Sequence, residues 1–142
     1  MREDAQKLIK AEGMRYVGAT RKVVDAAVGA LPDDVAVLAV LAGQAKRYHP
    51  LVPAPEQCLG SIAVCDAGVA VALRPLLKVQ AYFMAWDGLV RAQVSLSGMS
   101  GVLLDVATEE MRVVLSEQFR GPISKTHADA VSAAFQTYLS AR

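Results

Sequence analysis

Little in this chain of 142 residues is chemically reactive. It holds two cysteines, two histidines and one tryptophan, too few for the disulfide frameworks that hold small secreted domains together. Cys58 and Cys65 have six positions between them, a spacing that matches no redox or zinc signature. A zinc set with His49 and His127 requires the fold to bring four scattered residues together, so two buried, reduced thiols and no metal are expected. Charge is also short: 15 basic and 14 acidic residues leave a net charge of +1, too balanced for a protein whose affinity comes from neutralising phosphates, so general nucleic-acid binding is not expected. No apolar run approaches the roughly 20 residues of a spanning helix, and no basic leader precedes an apolar core, so a soluble, cytoplasmic chain is expected. Repeats and low-complexity tracts are absent as well.

What the chain has in quantity is apolar side chains, 54% against 20% charged. Its length suits one domain able to bury a core without staples. The apolar surplus implies surface left for a partner, with self-association the first expectation.

From Glu3 to about Leu31, Leu8, Ile9, Tyr16, Val17, Val23, Val24, Ala27 and Val28 recur at helix-face spacing, which predicts an amphipathic helix. Gly13 and Gly18 weaken its middle, so a kink or two shorter helices fits equally. Six cations against four anions in the first 30 residues favour packing or oligomerisation over a membrane surface. Leu31-Pro32-Asp33-Asp34 ends the segment. Beyond it, Val35 to Ala42 reads as a strand buried on both faces. An edge strand over Ala45 to His49 follows, then a long loop carrying Pro50, Pro53 and Pro55. Further strands are predicted at Ser61 to Cys65, Val69 to Leu73, Val79 to Met84, Leu89 to Leu96, Gly101 to Val106 and Met111 to Leu115, joined by turn-like separators. Asp66-Ala67-Gly68 has the composition of a three-residue hairpin with glycine in the left-handed position and Asp66 accepting from the turn's own amides. A closing helix to Leu139 starts near Ser124 or Thr126, with Thr126 and Asp129 at capping-box-like spacing. Ala128, Val131, Phe135, Tyr138 and Leu139 form its apolar stripe. The expected architecture is α+β: an antiparallel barrel or sandwich of about seven strands capped by a C-terminal helix, with an extra N-terminal helix. Residues 1–31 form the helical extension and 32–142 the strand-rich domain of one compact unit.

The strand series in LPDDVAVLAVLAG, GSIAVCDAGVAVALR and LVRAQVSLSGMSGVLLDVA, closed by an amphipathic helix, resembles bacterial pleckstrin-homology-like (PH-like) domains over about Leu31 to Leu139. This sequence departs from that pattern where Cys65 replaces a common threonine and Ala67-Gly68 replaces polar and basic turn residues. The resemblance implies a noncatalytic binding or assembly module holding a protein or, less fully matched here, a lipid headgroup. Phosphoinositide-binding members carry a basic cluster on the first two strands and their loop; here that region offers Lys46, Arg47 and His49, with Arg74 and Lys78 nearby. Trp86, beside Asp87-Gly88, is a further candidate for ligand or partner contact, though tryptophan in a small protein more often serves packing. The competing reading is a thiol-dependent enzyme with Cys65 as nucleophile and His49 or His127 as base. A neighbouring Asp66 raises a thiol pKa, which opposes that chemistry. Asp33-Asp34 and Glu109-Glu110 read as turn and loop, and the glycines form no phosphate-cradling loop, so no cofactor is indicated.

Overall fold

The computed structural model describes residues 1–97, 101–118 and 122–139. The turn at Gly98 and the residue Gly121 lie outside these, as do the side chains of Thr126 and His127. Two helices come first, α1 (Glu3–Ala11) and α2 (Gly18–Ala30). Of the readings left open for this region, one helix, a kinked helix or two shorter ones, the two shorter helices are observed. The break follows from the end of α1, where the Gly13 N–H donates to Lys10 O and the Met14 N–H to Ile9 O, both at 3.0 Å. That hydrogen-bond pair reverses the chain and tucks Met14 into the interior.

Seven strands follow: β1 (Val37–Tyr48), β2 (Glu56–Cys65), β3 (Gly68–Arg74), β4 (Gln80–Ala85), β5 (Arg91–Ser97), β6 (Gly101–Ala107) and β7 (Arg112–Gln118); α3 (Pro122–Leu139) closes the order. The two strands expected over Val35 to Ala42 and Ala45 to His49 are one, β1, because Gly43 continues the strand. A Cβ at Gly43 would stand 2.0 Å from the Ser116 carbonyl oxygen, so glycine marks a close crossing of β1 and β7. The proline-rich loop is shorter than expected, since β2 begins directly after Pro55.

All seven strands join one antiparallel sheet in the order β4-β3-β2-β1-β7-β6-β5. β1 pairs with β2 from Val37 to Arg47 and with β7 from Gln44 to Tyr48. The sheet is curled into a half-barrel, with β7 meeting only the second half of the long strand β1. Its inner face carries Leu41, Ile62, Val71, Leu104 and Leu115, closed by Ala128, Val131 and Phe135 of α3. Its outer face on β1, β2 and β3 carries Val40, Ala42, Ala63, Cys65, Ala70 and Ala72, covered by Val23, Val24, Ala27 and Val28 of α2 and Ala5 of α1. The alanines let α2 approach the sheet closely, and every fully buried valine or leucine contributes about 1.5–3 kcal/mol.

The two helices are also tied to the strands by hydrogen bonds. Arg2 donates to Pro32 O at 2.9 Å and to Val35 O, and pairs with Asp4. Asp4 in turn accepts the Val37 N–H at 3.3 Å. At the other end the Tyr16 hydroxyl donates to Glu117 Oε2 at 2.9 Å, and the same oxygen accepts the Ala42 N–H at 2.7 Å. Because Ala63 is fully enclosed beneath the helices, Ala63→Leu should overpack that layer and cost about 1–3 kcal/mol. A denaturant melt followed by circular dichroism should show a lower midpoint with an unchanged slope.

Candidate functional site

The strand register sets three loops at one end of the half-barrel. β1 and β2 end there at Arg47↔Glu56, β3 and β4 at Leu73↔Gln80, and β6 and β7 at Ala107↔Arg112. The connecting loops expose Leu51 (96%), Leu76 (85%) and Leu77 (86%), with Val52 also exposed. Large apolar side chains this open are concentrated on the two neighbouring loops of β1–β2 and β3–β4. Composition had implied an apolar surplus without locating it; leucines at loop tips beside Pro50 and Pro75 were the available signal.

The basic residues expected to make a site reach this end without converging. Arg47 is buried on the inner face and already committed: it pairs with Glu56 and donates to Gln80 Oε1 at 2.9 Å and to the Tyr82 hydroxyl at 3.2 Å. Strand alternation turns Lys46 to the opposite, outer face, where it is exposed. Arg74 ends β3 half-buried, and its Nε is enclosed without a hydrogen-bond partner. Lys78 is exposed on the β3–β4 loop. His49 lines a cavity of about 210 Å³ together with Glu109 and Glu110 of the β6–β7 loop. Those carboxylates oppose an anionic ligand at His49.

Trp86 lies under α3, in a single 3-10 turn, Trp86–Gly88. Its indole stacks on Tyr138 at 5.3 Å and meets the Phe135 ring edge-on at 5.7 Å. The indole N–H donates to the Asp66 carbonyl at 2.9 Å. Asp66 thus serves the closing helix, because its carboxylate accepts the Tyr138 hydroxyl. That corrects the expectation that Asp66 caps its own turn. The hairpin is also tighter than expected: Cys65 pairs with Gly68 around a two-residue turn, Asp66 and Ala67. Gly68 already belongs to β3, where a Cβ would lie 2.1 Å from the Met84 carbonyl oxygen.

The two cysteines face opposite sides of β2, Cys58 in the inner core and Cys65 in the outer one. Burial pushes both thiols up, against backbone hydrogen bonds that lower them. His49 stands at the far end of β2 from Cys65, roughly 30 Å away at strand spacing. Among the described residues no group of histidine, cysteine and acidic side chains can hold a metal. No described helix is long and apolar enough to cross a membrane.

A charge cluster lies on the outer face of β5, β6 and β7. Arg112 Nε and Nη2 donate to the two oxygens of Asp105 at 2.9 and 2.8 Å, and Arg91 Nε donates at 2.7 Å. The Arg112 guanidinium also covers the Tyr48 ring at 5.2 Å. Burial raises the Asp105 pKa, but the hydrogen bonds from Arg112 and Arg91 and their charges outweigh it and hold the carboxyl below its usual range.

With these positions established, the fold can be compared with solved ones. The pleckstrin homology (PH) domain of USP37 matches with a TM-score of 0.51 at 8% identity, over 72% of this chain and 98% of that one. The fold is PH-like. Two weaker matches are the Vps36 N-terminal PH domain (TM-score 0.47, 15% identity, 78% of this chain and 86% of that one) and the C-terminal domain of an unknown protein from Leishmania infantum (0.45, 12%, 74% and 85%). No protein-family model and no curated protein sequence matches the chain. The likeness is to the PH fold itself, with the helices α1 and α2 added on the outer face of the sheet.

Two expectations test this PH-like chain. Both thiols should react slowly with a thiol-selective reagent at neutral pH and fully after denaturation, whereas rapid labelling of Cys65 in the folded protein would restore the enzyme reading. Since the Asp105 pKa is depressed on folding, its stabilisation is present above the unfolded value of about 4 and is lost as pH falls through the folded one. Acid melts of Asp105→Asn should therefore lose part of the slope that the wild type shows below about pH 4.

Proposed function

We propose that this PH-like chain is a noncatalytic binding module that acts in the cytoplasm through protein contact, using the loop end of its half-barrel, and that it self-associates. The observation that carries the protein-contact reading is the set of leucines at 51, 76 and 77, held almost fully in water on loops anchored by paired strands. Burying such a side chain against a partner releases about 1.5–3 kcal/mol, and apolar anchors on a rigid base lose little entropy on binding. Two reduced, buried thiols suit a reducing compartment. They also leave no accessible thiolate for catalysis.

A protein surface fits this end better than a phosphorylated lipid headgroup. The Arg47 charge is neutralised by Glu56, Lys46 points to the other face, and Glu109 and Glu110 lie beside His49. A phosphate ligand needs several cations converging on one point.

The test is affinity capture from the native host with the wild type and with the variant Leu51→Asp/Leu76→Asp/Leu77→Asp. Proteins retained by the wild type and lost by the variant, with melting temperature unchanged, are the expected result. Identical retention would remove the loop end from the function. Sedimentation of the wild type with phosphatidylcholine–phosphatidylserine vesicles, abolished in the same variant, would reassign these leucines to a membrane.

A further inference from the structure

A cavity of about 540 Å³ opens between α1, α2 and the segment joining them, with no strand residue in its described wall. α1 supplies Ile9 and Lys10, the connection supplies Met14, Arg15 and Val17, and α2 supplies Arg21. Ile9, Met14 and Val17 form an apolar part of the wall, and Val17 stays 62% exposed. Every charged side chain in the described wall is a cation. Arg21 shares its charge with Asp25 at 3.0 Å. Lys10 and Arg15 pair with no carboxylate among the described residues.

The start of α2 adds to this positive potential. Its N-cap residue Val17 belongs to the wall, no side chain caps it, and its first turn holds no acid. First-turn amides left open in this way carry partial positive charge. The opposite pole, at the end of α1, is closed off, because the Leu8, Lys10 and Ile9 carbonyls accept the amides of Glu12, Gly13 and Met14. Glu117 lines the adjoining cavity instead, where it accepts from the Tyr16 hydroxyl and the Ala42 N–H.

We propose that the cavity between the two helices binds a small amphipathic anion, a carboxylate or similar head on a short apolar chain. The head lies among Lys10, Arg15 and Arg21, and the chain lies against Ile9, Met14 and Val17. The volume suits a small molecule, and apolar walls with a few polar groups aimed at one place are what such a site requires. Cations of the kind lacking at the loop end thus gather on the added helices, where they give the head charge-assisted hydrogen bonds. A free anion fits better than a charged bilayer. The helices also expose Glu3 and Asp25, which a membrane surface would meet, whereas a ligand inside the cavity meets cations. The site is separate from the leucine loops and does not rest on the protein-contact or self-association readings.

Isothermal titration calorimetry of the full chain with sodium octanoate tests the proposal, with octanol and acetate as controls that lack the charge and the chain. Octanoate should bind about tenfold or more tightly than either control and shift the amide NMR resonances of Gly13 to Val17. Lys10→Glu/Arg15→Glu should weaken octanoate about tenfold or more, and Lys10→Arg/Arg15→Lys should retain it. Both pairs lie on the surface and should melt with the wild type, so retention in the second separates loss of the site from loss of the fold. Octanol binding as tightly as octanoate, equal affinity in the charge-reversed variant, or shifts confined to other residues overturns the proposal. Absence of octanoate binding also overturns it, and sedimentation with phosphatidylglycerol vesicles would then assign these cations to a membrane.

Discussion

The pairing of β1 with strands on both of its sides is the constraint on which the rest of the molecule depends. Val37–Arg47 holds β2 and Gln44–Tyr48 holds β7, so four residues, 44–47, have strand partners on both edges. One half of the sheet reaches the other only through this strand. Such sharing requires backbones to cross closely, and Gly43 lies where any side chain would collide with Ser116. Just past that point the two strands part, and Glu117 accepts the Ala42 N–H that the ladder leaves open. The same carboxylate holds Tyr16, so the site where the sheet divides also anchors the added helices.

Curling the sheet creates two problems of burial, solved by different helices. The inner face holds large aliphatic side chains and is closed by α3, seated through Trp86, Phe135 and the Tyr138–Asp66 hydrogen bond. The outer face of β1, β2 and β3 holds mostly alanine and valine, and α2 fits against it because those residues are small. Apolar residues on both faces of three strands account for much of the unusual composition. What remains apolar and open is concentrated on the loops at one end and on β4. Binding surfaces on a rigid sheet are expected in such places, because loops and edges can be exposed without disturbing the core.

Electrostatics in this protein serve mainly internal ends. Arg47 is spent on Glu56, Gln80 and Tyr82; Arg2 and Asp4 tie α1 to the segment before β1; Arg91 and Arg112 converge on Asp105. Buried or half-buried cations paired in this way are poor sites for a charged ligand, since releasing them would leave their partners unpaired. The same economy explains why a chain with 15 basic residues gathers no cationic cleft from Lys46, Arg47, His49, Arg74 and Lys78.

The amino-acid sequence by itself determined the element types, most strand positions, the closing helix and the resemblance to a PH-like fold, because apolar periodicity and turn residues act locally. Period-two alternation in SIAVC and VAVAL and the helical stripe through Val131 and Phe135 are legible without neighbours. Gly43 lies between the two strands expected at Val35 to Ala42 and Ala45 to His49 and proved a crossing within one, since only the arrival of β7 shows why a side chain is excluded there. Asp66 read as a turn cap and proved a tether for α3, because its partner Tyr138 lies 72 positions away. Arg47 read as a ligand-facing cation and proved an internal one, for a strand's pattern assigns faces but not what covers them. Only tertiary structure decided that the N-terminal helices cover their own sheet, which cysteine faces which core, and which apolar residues stay in water. Those outcomes depend on surfaces meeting across long stretches of chain, and no local pattern encodes which surfaces meet.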